Sequence, residues 1–395
     1  MNRLLFISHR IPYPPDKGDK IRSYNLLKFF ASHYKVDLVT FVDNKSDLKY
    51  QINLNEFCQH CFVFERGKKS GILRALYHFC KGKSLSEGLY YSKNVQDKIN
   101  KLIGENDYKF IFAYSSQVAQ YVAGTKIRKI IDFCDVDSEK WIEYSNKRSF
   151  PLNLVYAIEG RRLAERERII AEKFDLILFA TERETALFSK DYRYPNCIVL
   201  PNGVDFKYFS PSYTEKEESL IFVGAMDYYP NVEAVLWFTK KVFNHLVQHI
   251  PTIHFYIVGS NPDKKLMKLA DLSPNITVTG YVQDIRPFLD KSKAAVIPID
   301  IARGIQNKVL EAMAMEVPVV ISQNIYKSLI NTKDINLLVY KDESDLLKTL
   351  LHLMDKDNLN YEKIGKDLRN YVIKNYNWHT ILSGFHQELR TRFAL

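Results

Sequence analysis

The sequence predicts two α/β domains in tandem, each a doubly wound parallel sheet, on three observations. Short, nearly continuous apolar runs alternate with longer segments of helical period, the pattern of strands covered on both faces and joined by crossover helices. The alternation breaks once, at Leu200-Pro201-Asn202-Gly203-Val204-Asp205, and then restarts. The chain has 395 residues, and at roughly 100–200 residues per domain that length holds two domains, or at most three.

In the first half the strand-like runs are 4–8, 36–42, 61–65, 110–114, 129–133, 175–180 and 197–200, with helical patterns at 21–32, 94–103 and 158–173. Pro201, Asn202 and Gly203 make a turn that neither helix nor strand tolerates, and the polar stretch 210–219 follows, so the seam falls there. Strands then resume at 220–223, 254–258, 276–282, 294–299, 317–322 and 337–340, with helices at 231–249, 264–270, 306–315 and 344–354. An amphipathic helix at 380–392 lies beyond the point where the second domain should end. The expected domains are 1–203 and 204–377, with the terminal helix 378–395 packing back on the first. Ligands of doubly wound sheets bind outside the carboxyl ends of the strands, so the two domains are expected to face a common cleft.

Composition removes several classes. Hydrophobic residues make up 46% and charged residues 26%, the balance of a globular protein rather than a disordered chain, a collagen or a coiled coil. No run of 18 apolar residues exists, and the N-terminal apolar stretch turns polar at Ser8, too early for a signal peptide. A cytoplasmic protein is expected, attached to a membrane at most peripherally. Cys58, Cys61, Cys80, Cys134 and Cys197 are odd in number, which fits a reducing compartment. Cys58 and Cys61 form a lone CxxC with no second pair at zinc-ligand spacing, so both read as core thiols and no metal site is expected.

The formal charge of +10 is uneven. Residues 1–200 carry 33 Lys and Arg against 24 Asp and Glu, whereas residues 201–395 carry 23 against 22. The basic half is expected to face something anionic. Arg66, Lys68 and Lys69 precede Ile72, Leu73, Leu76 and Phe79, and Lys81 and Lys83 follow. Cations flanking one apolar helical face are the pattern of an interfacial helix on anionic lipid, and equally of a helix packed on its own domain with a solvated rim. Arg161, Arg162, Arg166 and Arg168 alternate with Glu165 and Glu167 and read as a solvated helix face. No nucleic-acid motif is present, so a nucleic-acid partner is not expected.

The most informative stretch runs from 298 to 322. A strand leads into a loop containing Arg303, Gly304, Ile305, Gln306 and Asn307, and a helix carrying Lys308 and Glu311 follows. A glycine lets the backbone approach a ligand, and the amides at a helix start suit an anion. Lys308 and Glu311 are three apart and share a face. A lysine for phosphate beside a carboxylate for paired hydroxyls is what a nucleoside diphosphate needs.

Residues 309–320, Val-Leu-Glu-Ala-Met-Ala-Met-Glu-Val-Pro-Val-Val, resemble the donor-site helix of glycosyltransferase family 4, the retaining GT-B enzymes. Further similarities fall in the same order along the chain: the turn at 201–205, Phe222-Val223-Gly224 with Tyr229-Pro230-Asn231-Val232, the strand 255–259, and 278–282 with Asp284-Ile285. Pro12-Tyr13-Pro14-Pro15-Asp16-Lys17-Gly18-Asp19-Lys20 followed by Arg22 is similar to the acceptor-side phosphate loop of the branch acting in bacterial exopolysaccharide assembly, the exosortase-associated branch. The resemblance implies the GT-B fold and a retaining transfer from a nucleotide-diphosphate-sugar to an acceptor hydroxyl on a lipid-linked or growing glycan. It implies that Glu311 holds the ribose and that backbone near Gly280, Tyr281, Val282 and Gln283 holds the base. The amides of Gly304–Asn307 would hold the diphosphate with Lys308, Gly224 would open the donor site, and no metal or other cofactor would be required. The chain departs from the family twice. Arg303 stands where a second glutamate is usual, and 225–229 carry no cation after Gly224. Arg303 and Lys308 are expected to supply that charge.

In the first half, the strand 129–133 leads into Cys134-Asp135-Val136-Asp137-Ser138. Asp135 is the preferred residue to orient the acceptor hydroxyl, with a helix N-cap by Asp135 or Asp137 as the structural alternative. Lys17, Gly18, Asp19 and Lys20 form a candidate phosphate or acceptor loop. His9 at the end of the first strand reads as an ordinary loop residue rather than a cleft residue. Two rival functions share this architecture: a nucleotide-sugar 2-epimerase, and a non-catalytic module binding a sugar nucleotide or a membrane.

Overall fold

The apolar runs of the first half become seven parallel strands: β1 (Arg3–Ser8), β2 (Lys35–Val42), β3 (His60–Glu65), β4 (Tyr108–Tyr114), β5 (Lys129–Cys134), β6 (Leu176–Phe179) and β7 (Cys197–Val199). They lie in the order β3-β2-β1-β4-β5-β6-β7. Leu4, Leu5, Phe6 and Ile7 of the inner strand β1 are all wholly buried, which is why that strand reads as an unbroken apolar run. The computed structural model describes residues 2–190, 196–299, 304–355 and 360–393, without the side chains of 68–70 and 334. Its chain forms two units, Met1–Leu200 with Leu382–Leu395, and Pro201–Ile381.

The second unit holds β8 (Glu217–Val223), β9 (His254–Val258), β10 (Ile276–Gly280), β11 (Ser292–Ile297), β12 (Val319–Ser322) and β13 (Leu338–Tyr340), in the order β10-β9-β8-β11-β12-β13. Each chain segment first winds to one side of its starting strand and then to the other. The reversal falls at β1/β4 in the first unit and at β8/β11 in the second. Such reversals open the crevices in which doubly wound folds bind ligands.

Several helices differ from the sequence expectation. The helix expected at 231–249 begins at Tyr229, and a π-helical turn at Thr239–Phe243 separates Tyr229–Phe238 from Asn244–His249. A further helix, Tyr361–Asn375, buries Gly365, Leu368, Tyr371 and Val372. A Cβ at Gly365 would stand 2.3 Å from the Glu316 carbonyl, so only glycine allows that approach. The terminal helix is Trp378–Phe393. Its later part belongs to the first unit, where Phe385 meets the Phe30 ring and His386 shares a 3.0 Å hydrogen bond with Tyr34 Oη. Cys58 and Cys61 are buried free thiols, and burial pushes the Cys61 thiol up to about 12.

The arginine-rich helix Leu152–Lys173 is not a plain solvated face. Arg162 donates to the carbonyls of Phe79 and Lys83, and Arg166 pairs with Glu87 at 2.8 Å. Glu167 is 2% exposed and accepts from Ser138 N and Oγ at the start of helix Asp137–Asn146. Burial raises Glu167 to about 8, with Asp137 adding to the rise and the Ser138 bonds opposing it. Alternating charges suggested solvent because the elements they fasten lie far away in sequence.

Candidate functional site

In the second unit the polar side chains gather at the β8/β11 reversal. Gly224 follows β8, and its amide donates to the Val258 carbonyl at the end of β9. A Cβ at Gly224 would meet Asn231 Nδ2 at 2.7 Å and Lys308 Nζ at 2.8 Å. The glycine therefore makes room for the lysine. Lys308 rises from helix Asn307–Ala314 after β11 and donates to Asn231 Oδ1 at 2.8 Å. Its ammonium also lies 4.2 Å from the centre of the Phe222 ring. Asn231 is held in turn by donating Nδ2 to the Ala225 carbonyl.

Both ionisable groups of this helix are strongly shifted. Burial pulls Lys308 down to about 7, against the opposing charge of Glu311. Burial likewise raises Glu311, against Lys308. Low dielectric disfavours both charges, and their mutual attraction only partly compensates. An anion beside Lys308 would restore its proton.

The start of that helix is open to a ligand in the chemical sense. Gln306 occupies the cap position, and no side chain caps the first turn. Gly304 adopts a left-handed φ of 65°, and both Gly304 and Ile305 are buried. Asn307 accepts from Asn202 Nδ2 at 3.0 Å, while its own buried Nδ2 has no acceptor. Amides plus one unpartnered donor at a positive helix end suit an anion. Arg303 lies outside the described residues.

The expected base-binding loop is more exposed. Gly280 has φ 68°, Tyr281 is 76% exposed and Val282 packs on the core. This loop leaves β10, and β9 stands between β10 and β8 in the sheet. The expected strand 276–282 thus ends at Gly280, where the positive φ turns the chain out of the sheet.

In the first unit several of the expected residues already have partners. Arg22 is buried and binds Asp132 through Nε at 2.7 Å and a second guanidinium nitrogen at 3.1 Å. It also donates to the Leu200 carbonyl at 2.7 Å, so it braces the sheet rather than waiting for a phosphate. Lys20 is buried against Asp16 at 3.3 Å. Asp19 pairs with Arg10 at 2.6 Å and lies 3.5 Å from His9 Nε2. Burial would raise Asp19, but His9 and Arg10 hold it well below the usual carboxylate range. Lys17 and Gly18 are exposed at the start of helix Gly18–Ala31.

Asp135 does not cap the next helix. The cap position of Asp137–Asn146 is Val136, with no side-chain bond, and Asp137 instead accepts from Ser116 and Gln117. Cys134 takes a left-handed φ of 63°, which turns the chain sharply out of β5. Burial raises Asp135 to about 7, with Glu184 and Asp137 adding to the rise. Its buried Oδ1 has no donor. Sequence reasoning gave no role of their own to Asn202, in the predicted turn, or to Asn231, at the start of a predicted helix.

Residues 217–356 match the family described as "Glycosyl transferases group 1". A Staphylococcus aureus poly(ribitol-phosphate) alpha-N-acetylglucosaminyltransferase is 21% identical over 92% of this chain and 73% of its own length. An uncharacterized 44.6 kDa protein in the cps region of Klebsiella pneumoniae is 18% identical over 98% of this chain and all of its own length. Among solved structures, sucrose-phosphate synthase from Thermosynechococcus elongatus is similar at TM-score 0.73 and 17% identity, with 100% of both chains covered. Anabaena HepE, crystallised with UDP and glucose, is similar at TM-score 0.71 and 12% identity, covering 99% of this chain and 100% of its own. The architecture is that of the GT-B class, two Rossmann-like domains with parallel sheets. The family match over the second unit supports a glycosyltransferase.

Proposed function

We propose that this chain is a retaining glycosyltransferase that moves a sugar from a nucleotide-diphosphate-sugar to an acceptor hydroxyl in exopolysaccharide or cell-surface glycan synthesis. One observation carries the reading. Lys308, whose one hydrogen-bond partner among the described residues is the neutral Asn231, stands at the β8/β11 reversal beside a helix start without a side-chain cap, where Asn307 Nδ2 finds no acceptor among the described residues. The diphosphate fits that place. The bond between the anomeric carbon and the leaving diphosphate oxygen breaks, and Lys308 with the helix amides stabilises the departing charge. The acceptor hydroxyl attacks the same face, forms the new glycosidic bond and passes its proton to the departing diphosphate oxygen. Glu311 takes the ribose hydroxyls, and Arg303 adds a second cation from the sequence ahead of the helix. No step calls for a metal.

The relatives support the donor and acceptor classes. HepE was crystallised with UDP, and the Staphylococcus enzyme is named for a polymer acceptor. A lipid-linked or growing glycan is therefore the proposed acceptor of this chain. Thermal-shift measurements with UDP-, GDP- and ADP-sugars test the donor site on wild type and Glu311→Ala. Stabilisation of wild type by one of them, lost in the variant, is expected. No stabilisation of wild type defeats the reading, and an equal response of the variant removes Glu311 from it.

A peripheral membrane contact is the second part of the proposal. Helix Lys68–Cys80 packs its small face, Gly71 and Ala75, near Leu89 and Gly88. Its Ile72, Leu73, Leu76 and Tyr77 are 57%, 69%, 53% and 63% exposed. Exposed apolar side chains in a cation-rich segment suit anionic lipid, at about 1 kcal/mol per surface cation. No described helix is long and apolar enough to cross a membrane. Exchanging Lys68, Lys69, Lys81 and Lys83 for Gln should weaken sedimentation with phosphatidylglycerol vesicles, and undiminished sedimentation refutes the contact.

A further inference from the structure

Asn231 lies in the first turn of helix Tyr229–Phe238, is 5% exposed, and has both ends of its side chain engaged. Asparagine is a poor helix former and is unfavourable when buried without partners, so its place there needs a reason. Nδ2 donates to the Ala225 carbonyl at 2.9 Å, and Oδ1 accepts from Lys308 Nζ at 2.8 Å. The opposite amide orientation would set an NH2 group against an ammonium and an oxygen against a carbonyl. The two bonds therefore fix which end faces the lysine.

The frame behind Asn231 is backbone. Its own amide donates to the Tyr228 carbonyl at 2.9 Å, Met226 N donates to Ser260 O beyond β9 at 2.9 Å, and Asp263 N donates to Met226 O at 3.0 Å. Pro230 sets the entry to the helix. Lys308 comes from a different element, helix Asn307–Ala314, and ends over Gly224, 4.2 Å from the centre of the Phe222 ring. It keeps partial exposure, whereas Asn231 is closed off. In the same unit Lys241, Arg286, Lys291 and Arg369 each meet a carboxylate, but Lys308 meets an amide. An amide oxygen directs an ammonium without cancelling its charge, and a carboxylate at that distance would do both. Glu311, three residues on in the same helix, is the opposite charge acting on Lys308 among the described residues, and burial outweighs it.

We infer that Asn231 is a positioning residue of the donor site: its neutral amide oxygen holds the Lys308 ammonium over Gly224 and leaves that charge for a phosphate of the ligand to balance. The inference rests on the proposed transferase reading, since the ligand it names is the diphosphate of that reading. An aspartate at 231 would fill nearly the same volume and supply the counterion itself. The tether serves binding because it is uncharged.

Calorimetric titration of the full chain with inorganic pyrophosphate and with UDP-, GDP- and ADP-sugars tests this. Beside it, NMR follows the titration of Lys308 in protein carrying carbon-labelled lysine, the signal being assigned by its loss in Lys308→Met. Asn231→Leu should weaken pyrophosphate binding about tenfold when Lys308 is present and should have no further effect in Lys308→Met. Asn231→Asp, which keeps an oxygen toward the ammonium, should raise the Lys308 titration midpoint by about one to three pH units and weaken pyrophosphate binding about tenfold. A residue that only shapes the turn would lower affinity equally in both backgrounds and leave the lysine titration unmoved. The inference is overturned if Asn231→Leu matches wild type, if the loss is equal with and without Lys308, if the titration does not move in Asn231→Asp, or if neither pyrophosphate nor any nucleotide sugar binds wild type. Pyrophosphate binding with the expected variant pattern but no nucleotide-sugar binding defeats the transferase reading and leaves Asn231 in its role. Nucleotide-sugar binding undiminished in Asn231→Leu does the reverse.

Discussion

Each unit buries a cation beside its chain reversal, and the two cations are treated differently. Arg22 is closed on all sides: two nitrogens reach Asp132, a third reaches the Leu200 carbonyl, and Asp132 also accepts from the Cys134 amide. Burial would lower its pKa, but Asp132 outweighs burial and raises it. Among the described residues Lys308 meets one neutral oxygen, and burial wins against Glu311. A guanidinium fork with a bidentate carboxylate completes a structure, whereas an ammonium left short of charge awaits a counterion. The difference separates a brace from a binding site inside one architecture.

Four measurements break or sharpen that contrast. The largest effect is predicted for Arg22→Ala, which strands a buried Asp132 and should lose about 3–5 kcal/mol in urea unfolding. A loss below about 1 kcal/mol would end the description of Arg22 as a brace. Lys308→Met should keep or raise the melting temperature while weakening nucleotide-sugar binding by about 1.5–3 kcal/mol. A matching fall in both quantities would make Lys308 another brace.

The third prediction concerns protons. Free Lys308 is largely neutral above pH about 7, and a bound diphosphate raises its pKa, so binding at pH 8 should take up a proton. Affinity is then full below pH 7 and declines as pH rises. Calorimetry in two buffers of different ionisation enthalpy reads the uptake, and Lys308→Met should abolish it. The smallest effect is expected at Glu167. Its folded-state pKa of about 8 lies above the ordinary carboxylate value, so the folded form holds the extra proton between about pH 4.5 and 8. Stability should fall as pH rises through that window. In Glu167→Gln the fall should shrink, and an unchanged pH profile would deny Glu167 any part in it.

Much of the fold was legible because burial on both faces writes a strand as a plain apolar run. All thirteen described strands coincide with such runs, with ends shifted by a few residues. The Lys308–Glu311 helix was legible because glycine, amide-rich loop and charged face occur together in sequence. Helix Tyr361–Asn375 had its pattern too, Tyr361, Ile364, Leu368, Tyr371 and Val372 at helical spacing, but lysines and asparagines between them masked it. The partners of Arg22, Glu167 and Lys308 were not legible. Asp132, Ser138 and Asn231 are brought to them by the sheet order and by helix packing, which no local spacing encodes. The approach of His9 to Asp19 was hidden for the same reason, since Asp19 looked like part of a separate loop.

The division of the chain has a consequence for biosynthesis. The first unit is discontinuous, taking its opening two hundred residues and then a piece that begins only at Leu382. During translation the surface around Phe30 and Tyr34 must wait, uncovered, until the whole second unit has been made. A nascent chain halted at the seam would thus present a bare aromatic patch to chaperones, and the late helix serves as the closing step of assembly.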